Sequence, residues 1–290
     1  MRLKIMAVGT LLAALLAAPI ASRAAVEFPF ERQDGLLWLQ VSSPASRKPL
    51  NFLLDTGASV SVVNLQTSDR LGLVRGEPST VQGVQSVATG YWPTRVSASI
   101  GGVALPKDLL ALDLAALGQS CSRRVDGLLG MDFLRDRIVQ VDFAAGKIRI
   151  LEAREVSSAG QTLPIRFGAS AILAPISVNN SASRWVRLDT GCANGLQWVT
   201  TEIQPAAGQF QNAVALSALS NPMASVTVGL GSARLAAVHA GLHRTEIFPG
   251  EAGLLGNELL SRFDQVTIDA KGERLILVSK PAARISGIRR

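Results

Sequence analysis

Leu54-Asp55-Thr56-Gly57-Ala58-Ser59 and Leu188-Asp189-Thr190-Gly191-Cys192-Ala193 are the two stretches whose reading decides the fold. Each Asp follows a short apolar-rich run, Asn51 to Leu54 in the first copy and Trp185 to Leu188 in the second. Gly57 and Gly191 let the backbone turn sharply and approach a neighbour closely. A lone Asp-Thr-Gly is most simply a turn with a capping Asp. Here the surroundings are repeated as well. Gly127-Leu128-Leu129-Gly130-Met131-Asp132-Phe133-Leu134 returns as Gly253-Leu254-Leu255-Gly256-Asn257-Glu258-Leu259-Leu260. Ser99-Ile100-Gly101-Gly102 is matched by Thr227-Val228-Gly229-Leu230, and Val139-Gln140-Val141-Asp142 by Val266-Thr267-Ile268-Asp269. From the Asp to the first Gly of the Gly-Leu-Leu-Gly motif is 127 − 55 = 72 residues in one unit and 253 − 189 = 64 in the other. Paired motifs in the same order at similar spacing mark an internal duplication.

The local pattern around these motifs is mostly β. Leu36 to Val41 and Pro49 to Leu54 are apolar-rich runs separated by a turn-prone Ser43-Pro44-Ala45-Ser46. Ala171 to Val178 and Trp185 to Leu188 repeat that arrangement around Asn179-Asn180-Ser181, and Tyr91 to Ile100 alternates on a period of two. Helices are expected only at Leu65 to Leu71 and after each Gly-Leu-Leu-Gly. The fold expected is all-β: two pseudo-two-fold-related, barrel-like lobes with a few short helices. The first lobe is expected over residues 25–151, a polar linker over 152–161 and the second lobe over 162–279.

Composition fits this reading. Of 290 residues, 48% are hydrophobic and 18% charged, a balance that supports a packed core and excludes disorder. Arg2 and Lys4, the apolar stretch Ile5 to Ile20, and the small residues of Ser22-Arg23-Ala24 form the pattern of a signal peptide over residues 1–24. The chain is therefore expected to be exported, periplasmic or secreted, with no membrane span left after cleavage. Removing Arg2, Lys4 and Arg23 leaves 26 basic against 22 acidic residues, a charge of 26 − 22 = +4. Part of that sits in a basic tail, 280–290. So small a charge without a basic stripe points away from nucleic acid.

Two duplicated Asp-Thr-Gly turns also suggest chemistry. A pseudo-two-fold arrangement brings equivalent turns face to face. Two carboxylates a few ångströms apart do not both ionise cheaply, so the pair holds one proton over a wide pH range. One then serves as general base on a water, and the other donates a proton to a substrate carbonyl. Peptide hydrolysis by this route needs neither metal nor covalent intermediate, so no cofactor is expected. Thr56 and Thr190 are expected to tie the turns together through hydroxyl-to-backbone hydrogen bonds. The nearest carboxylate oxygens of Asp55 and Asp189 should then lie about 3 Å apart, within range of a shared proton.

At these residues the sequence resembles the aspartic protease family, over roughly Leu36 to Val278. The resemblance implies that Asp55 and Asp189 are the catalytic pair and that Thr56, Gly57, Thr190 and Gly191 support the catalytic loops. It also implies that Leu128-Leu129-Gly130 and Leu254-Leu255-Gly256 thread beneath those loops. The lobes look short, closer to retroviral-type and bacterial members than to pepsin. Both Asp residues lie in one chain, so a monomer suffices. The flap is expected over Gln82 to Tyr91, although Tyr91, the only tyrosine, lacks the usual flap-tip setting. Pepsin has Ser or Thr after each Gly, where this chain has Ala58 and Cys192. With that pair of hydroxyl donors missing, the shared proton should be retained to higher pH.

The implied function is an aspartic endopeptidase holding extended polypeptide in a cleft between lobes. The alternative is a peptide- or envelope-ligand-binding protein on the same scaffold, without hydrolysis. A third reading, an assembly factor with a basic surface, is disfavoured by the small charge. His239 and His243 stand four apart without an acidic third ligand, so no metal site is expected. Gly229-Leu230-Gly231 reads as a hairpin turn, and the four tryptophans as core or cleft residues. Cys121 and Cys192 are expected to be buried free thiols rather than a disulfide.

Overall fold

The leucine- and valine-rich runs form strands in a computed structural model that describes residues 26–84, 86–168, 171–207, 210–213 and 219–279. The signal-peptide segment 1–24 and the tail 280–290 lie outside the described residues. The protein is mostly β, with the duplication visible strand by strand. In the first lobe one sheet runs in the order Glu31–Gln33, Leu36–Val41, Leu50–Leu54, Gly127–Leu129, Val62–Asn64, Asp108–Leu112, Ser86–Arg95 and Glu77–Gly83. In the second lobe the order is Arg166–Phe167, Ile172–Val178, Arg184–Leu188, Gly253–Leu255, Leu196–Val199, Ala233–His243, Leu219–Leu230 and Phe210–Ala213.

The strand senses match too. Each Gly-Leu-Leu segment runs parallel to the strand that delivers the Asp, with Leu129 beside Leu54 and Leu255 beside Leu188. Its other edge is antiparallel to the strand that follows the Asp turn. In the first segment both faces are covered, Leu128 packing in one apolar cluster and Leu129 in another, which is why it reads as a continuous apolar run rather than an alternating one. Gly127 permits the close packing: a Cβ there would come within 2.4 Å of both the Phe52 ring and the Val62 carbonyl oxygen.

A third sheet joins the lobes, in the order Val26–Pro29, Lys147–Leu151, Ile138–Asp142, Phe263–Asp269, Arg274–Ser279 and Gln161–Pro164. Its central pair is antiparallel, with Gln140 opposite Thr267. Those two residues occupy equivalent positions in the repeated Val-x-Val/Ile-Asp motif, so the pseudo-two-fold axis passes between them. The Gln140 amide donates to Thr267 Oγ1 at 3.1 Å. Val139, Val141, Val266 and Ile268 are buried in the core. Ala153–Glu155, within the expected linker, is one 3-10 turn closed by a reciprocal Glu152–Glu155 capping box.

Three details depart from expectation. Tyr91 to Ile100 is not one strand. The first strand ends at Arg95, and Gly101-Gly102, both at positive φ, fold Ser99–Ile100 back onto Val103–Ala104 as a separate small hairpin. The first strand also begins before Leu36, since Val26–Pro29 already pairs with Lys147–Ile150. A short helix, Ala115–Ser120, lies where no amphipathic pattern had marked one. Elsewhere the short helices are Leu65–Arg70, Met131–Leu134 and Asn257–Leu260.

The edge of Ile138–Asp142 that pairs with the second lobe is an open template once that lobe is removed. Residues 26–151 produced alone are therefore expected to self-associate. Sedimentation showing a folded monomer would contradict the dependence of this lobe on the joining sheet.

Candidate active site

Both Asp residues emerge from the ends of strands locked by the Gly-Leu-Leu segments. The Asp55 amide donates to Leu129 O at 2.9 Å, and the Asp189 amide to Leu255 O at 2.9 Å. Beyond each Asp the chain turns tightly, with the Ala58 amide donating to Asp55 O and the Cys192 amide to Asp189 O, both at 3.2 Å. The segment below completes the support, since the Met131 amide donates to Ala58 O and the Asn257 amide to Cys192 O, each at 2.8 Å.

The two turns are tied by a reciprocal exchange through their threonines, both of them buried. Thr56 Oγ1 donates to Leu188 O at 2.7 Å and accepts from the Thr190 amide at 3.0 Å. Thr190 Oγ1 donates to Leu54 O at 2.8 Å and accepts from the Thr56 amide at 3.0 Å. Gly57 and Gly191 sit against the opposite lobe's carboxyl. A Cβ on Gly57 would lie 2.5 Å from Asp189 Oδ1, and one on Gly191 would lie 2.5 Å from Asp55 Oδ1. Glycine is required here because each turn makes room for the other lobe's acid.

Each turn thus packs against the other lobe's carboxyl, and the two carboxyls lie close enough to influence each other's proton. Burial is the largest influence on both and raises both above the ordinary carboxylate range. For Asp55 this is opposed by the Ala58 and Gly57 amides, which donate to its Oδ1 at 3.1 and 3.0 Å, and by the nearby Arg187 charge. Asp189 is raised further by the charge of Asp55, to about 7, against the opposing Arg187 charge and the Gly191 amide at 2.9 Å. The pair therefore retains a proton to higher pH than an isolated carboxyl would.

A cleft of about 710 Å³ opens over the pair. The hairpin of Glu77–Gly83 and Ser86–Arg95 contributes Thr80, Gln82, Gly83 and Val84 to its lining, so part of the region expected as a flap shares the cleft with the two acids. Trp92 also lines the cleft, whereas the Tyr91 ring packs 5.4 Å from the Arg75 guanidinium. Trp38 and Trp198 are buried, and Trp185 lies half-buried with Arg166 stacked 3.9 Å from its ring centroid.

Several residues in or beside the cleft had escaped sequence reasoning. Arg187, two residues before Asp189, is buried, and its guanidinium donates to both Glu251 carboxylate oxygens at 2.8 and 2.6 Å. It also donates to Gly57 O across the lobes at 2.7 Å and stacks 3.8 Å from the Phe248 ring centroid. The available signal was a charge in an otherwise apolar run, where the first copy has Leu53. Ser61 and Asp132 form a second support in the first lobe. The Ser61 hydroxyl donates to Asp132 Oδ1 at 2.6 Å and accepts from the Gly130 amide at 3.0 Å.

The histidines lie on a strand rather than a helix. His239 is exposed and meets Glu258 at 3.4 Å, while His243 is buried against Gln197 at 2.7 Å. Gly231 at positive φ makes the turn of the hairpin between Leu219–Leu230 and Ala233–His243. Cys121 and Cys192 are free and buried. Burial is the main reason that both thiols are pushed well above their usual range, to about 11 for Cys121, so neither supplies a thiolate at neutral pH.

Residues 45–136 match the family model described as gag-polyprotein putative aspartyl protease. The match takes in Asp55, the cleft-lining hairpin and the Gly127-Leu128-Leu129-Gly130 segment. No curated protein matches the chain.

Replacing Thr56 with Val keeps the volume but leaves Leu188 O and the Thr190 amide unpaired in a buried place. Thr56→Val is expected to lower unfolding stability by about 3 kcal/mol, read by urea denaturation. A second expectation concerns linkage. Asp189 in the folded protein binds its proton more tightly than the ordinary 3.8, so its contribution to stability is full below pH 3.8 and is lost as pH rises through about 7. Asp189→Asn does not titrate there. It should gain stability relative to the parent between pH 4 and about 7 and level off above it; a constant difference across that window would refute the raised pKa.

Proposed function

We propose that this chain, which carries an aspartyl protease family domain in its first lobe, is an aspartic endopeptidase with Asp55 and Asp189 as its catalytic acids. The observation that carries the reading is the pair of carboxyls, one from each copy of the repeat, each set against the other copy's glycine turn and lining one cleft together with the hairpin. Asp55, held by two backbone amides, is the carboxylate and takes a proton from a water. Asp189, protonated, donates to the carbonyl oxygen of the scissile peptide. The resulting tetrahedral species collapses with proton return to the leaving amine. Thr56, Gly57, Thr190 and Gly191 hold the two acids in register and leave the space they occupy.

The substrate is an extended polypeptide. A cleft of this size takes several side chains, and the cleft-lining hairpin offers backbone groups to a strand laid beside it. Both acids come from one chain, so the protein acts as a monomer. The sequence pattern of residues 1–24 supports action outside the cytoplasm, in the periplasm or medium.

Purified protein incubated with a peptide library should cleave it, with activity falling above about pH 7 as Asp189 loses its proton. Asp55→Asn and Asp189→Asn should each reduce cleavage by roughly three orders of magnitude or more while leaving the far-ultraviolet spectrum unchanged. A variant that kept near-parental turnover would remove the assignment of its residue. Peptides bound but left intact by the parent protein from pH 3 to 8 would favour the ligand-binding alternative.

A further inference from the structure

The repeat allows the two walls beside the acids to be compared position by position. In the first lobe Leu53 lies two residues before the Asp. Leu128 is opposite Val62, Val62 is beside Leu110, and Leu112 is beside Asn64. Leu53, Val62, Leu110, Leu112 and Leu128 are all buried in one apolar cluster. In the second lobe Arg187 takes the place of Leu53. Leu254 is opposite Gln197, Gln197 is beside Gly241, and His243 is beside Val199. Val62, Leu110 and Leu112 are thus replaced by Gln197, Gly241 and His243.

The substitutions form one unit. The missing side chain at Gly241 creates the space that the Gln197 amide fills, since a Cβ there would stand 2.4 Å from Gln197 Oε1. Gln197 is 1% exposed and pairs its Oε1 with His243 Nε2 at 2.7 Å, yet its Nε2 has no hydrogen-bond partner among the described residues. Burial pushes the His243 pKa down, so the ring is neutral and adds no charge. Gln197, His243, Arg187 and Glu251 all line the same cleft as the two acids. A buried donor left unmatched costs free energy, and in a cleft open to substrate it is matched by what binds there.

Charge narrows the class of ligand. Arg187 and Glu251 neutralise each other through a two-pronged pair, and the acids together hold one negative charge. A carboxylate would add to that charge, and an ammonium would meet the Arg187 guanidinium. A neutral group with an acceptor for Gln197 Nε2 and a donor for the second lone pairs of Glu251 fits both constraints. A side-chain carboxamide is such a group.

We propose that Gln197, with His243, Arg187 and Glu251, forms a specificity subsite in the second lobe that selects a substrate residue bearing a side-chain carboxamide, glutamine or asparagine, close to the scissile bond. This rests on the peptidase reading for what occupies the cleft. Sites built to hydrogen-bond a substrate group reject analogues that lack it more strongly than apolar pockets reject a change of size. The first-lobe wall, wholly apolar, selects by size.

The test reads binding apart from turnover. Non-cleavable statine-containing peptides with Gln, Met or Glu placed in turn at each position within two residues of the statine are titrated calorimetrically into the full protein. At one position Gln should bind tenfold or more tighter than Met, its near-isostere, and than Glu. In Gln197→Leu that ratio should fall to within about twofold, with a sharp thermal transition confirming the fold. Met equalling Gln at every position, an undiminished ratio in Gln197→Leu, or no binding of any peptide would overturn the subsite. Cleavage of library peptides without carboxamide preference would sink the subsite and spare the peptidase reading. Carboxamide-selective binding without cleavage would do the reverse.

Discussion

Everything at the centre of this molecule hangs on the interchange between Thr56 and Thr190. Each hydroxyl both donates to and accepts from the backbone of the other lobe, so four hydrogen bonds join two turns whose threonines are 134 residues apart. None of the six groups involved has water as an alternative, because both threonines, Leu54 and Leu188 are buried. A hydrogen bond of this kind contributes modestly when made and costs much more when one side is left unmet. The interchange therefore acts less as glue than as a gauge: it admits one relative placement of the lobes.

That placement holds two acids against each other away from bulk water, and the protein spends stability to do so. Burial raises both carboxyls, and the charge of the first raises the second further. The surrounding contacts limit the cost unequally. Arg187 favours the charged form of both acids, but two backbone amides, of Gly57 and Ala58, hold Asp55, and the charge of Asp55 raises Asp189 further, so the pair is asymmetric although its framework is nearly symmetric. The joining sheet links the two lobes, with Val139, Val141, Val266 and Ile268 in the core and the Gln140–Thr267 contact on the pseudo-two-fold axis.

The duplication was legible because both copies kept the residues that chemistry and close packing demand: Asp, Thr and Gly at the turns, glycine at either end of the Leu-Leu segments. Strands such as Leu36–Val41 and Ile172–Val178 could be read from apolar runs bounded by turn residues. What escaped was set by pairing between distant segments. Ser99 and Ile100 continue an alternating pattern, yet Gly101-Gly102 gives them a nearer partner. Val26–Pro29 carries no strong strand signal and is held by the edge of Lys147–Leu151. Arg187 sat in plain view as a charge in an apolar run, but its meaning depends on Glu251, 64 residues later, and on Gly57 in the other lobe.

The apolar wall of Val62, Leu110, Leu112 and Leu128 lines the same cleft as its polar counterpart and the two acids. An assembly of two identical chains repeats any change on both sides and cannot tell one end of a bound polypeptide from the other. Joining the copies in one chain frees each wall to drift alone. Here one wall has stayed greasy while the other has gained an amide, an imidazole and an ion pair. The cleft thereby has a head and a tail, and on the peptidase reading a polypeptide entering it meets a site that distinguishes the direction in which it runs.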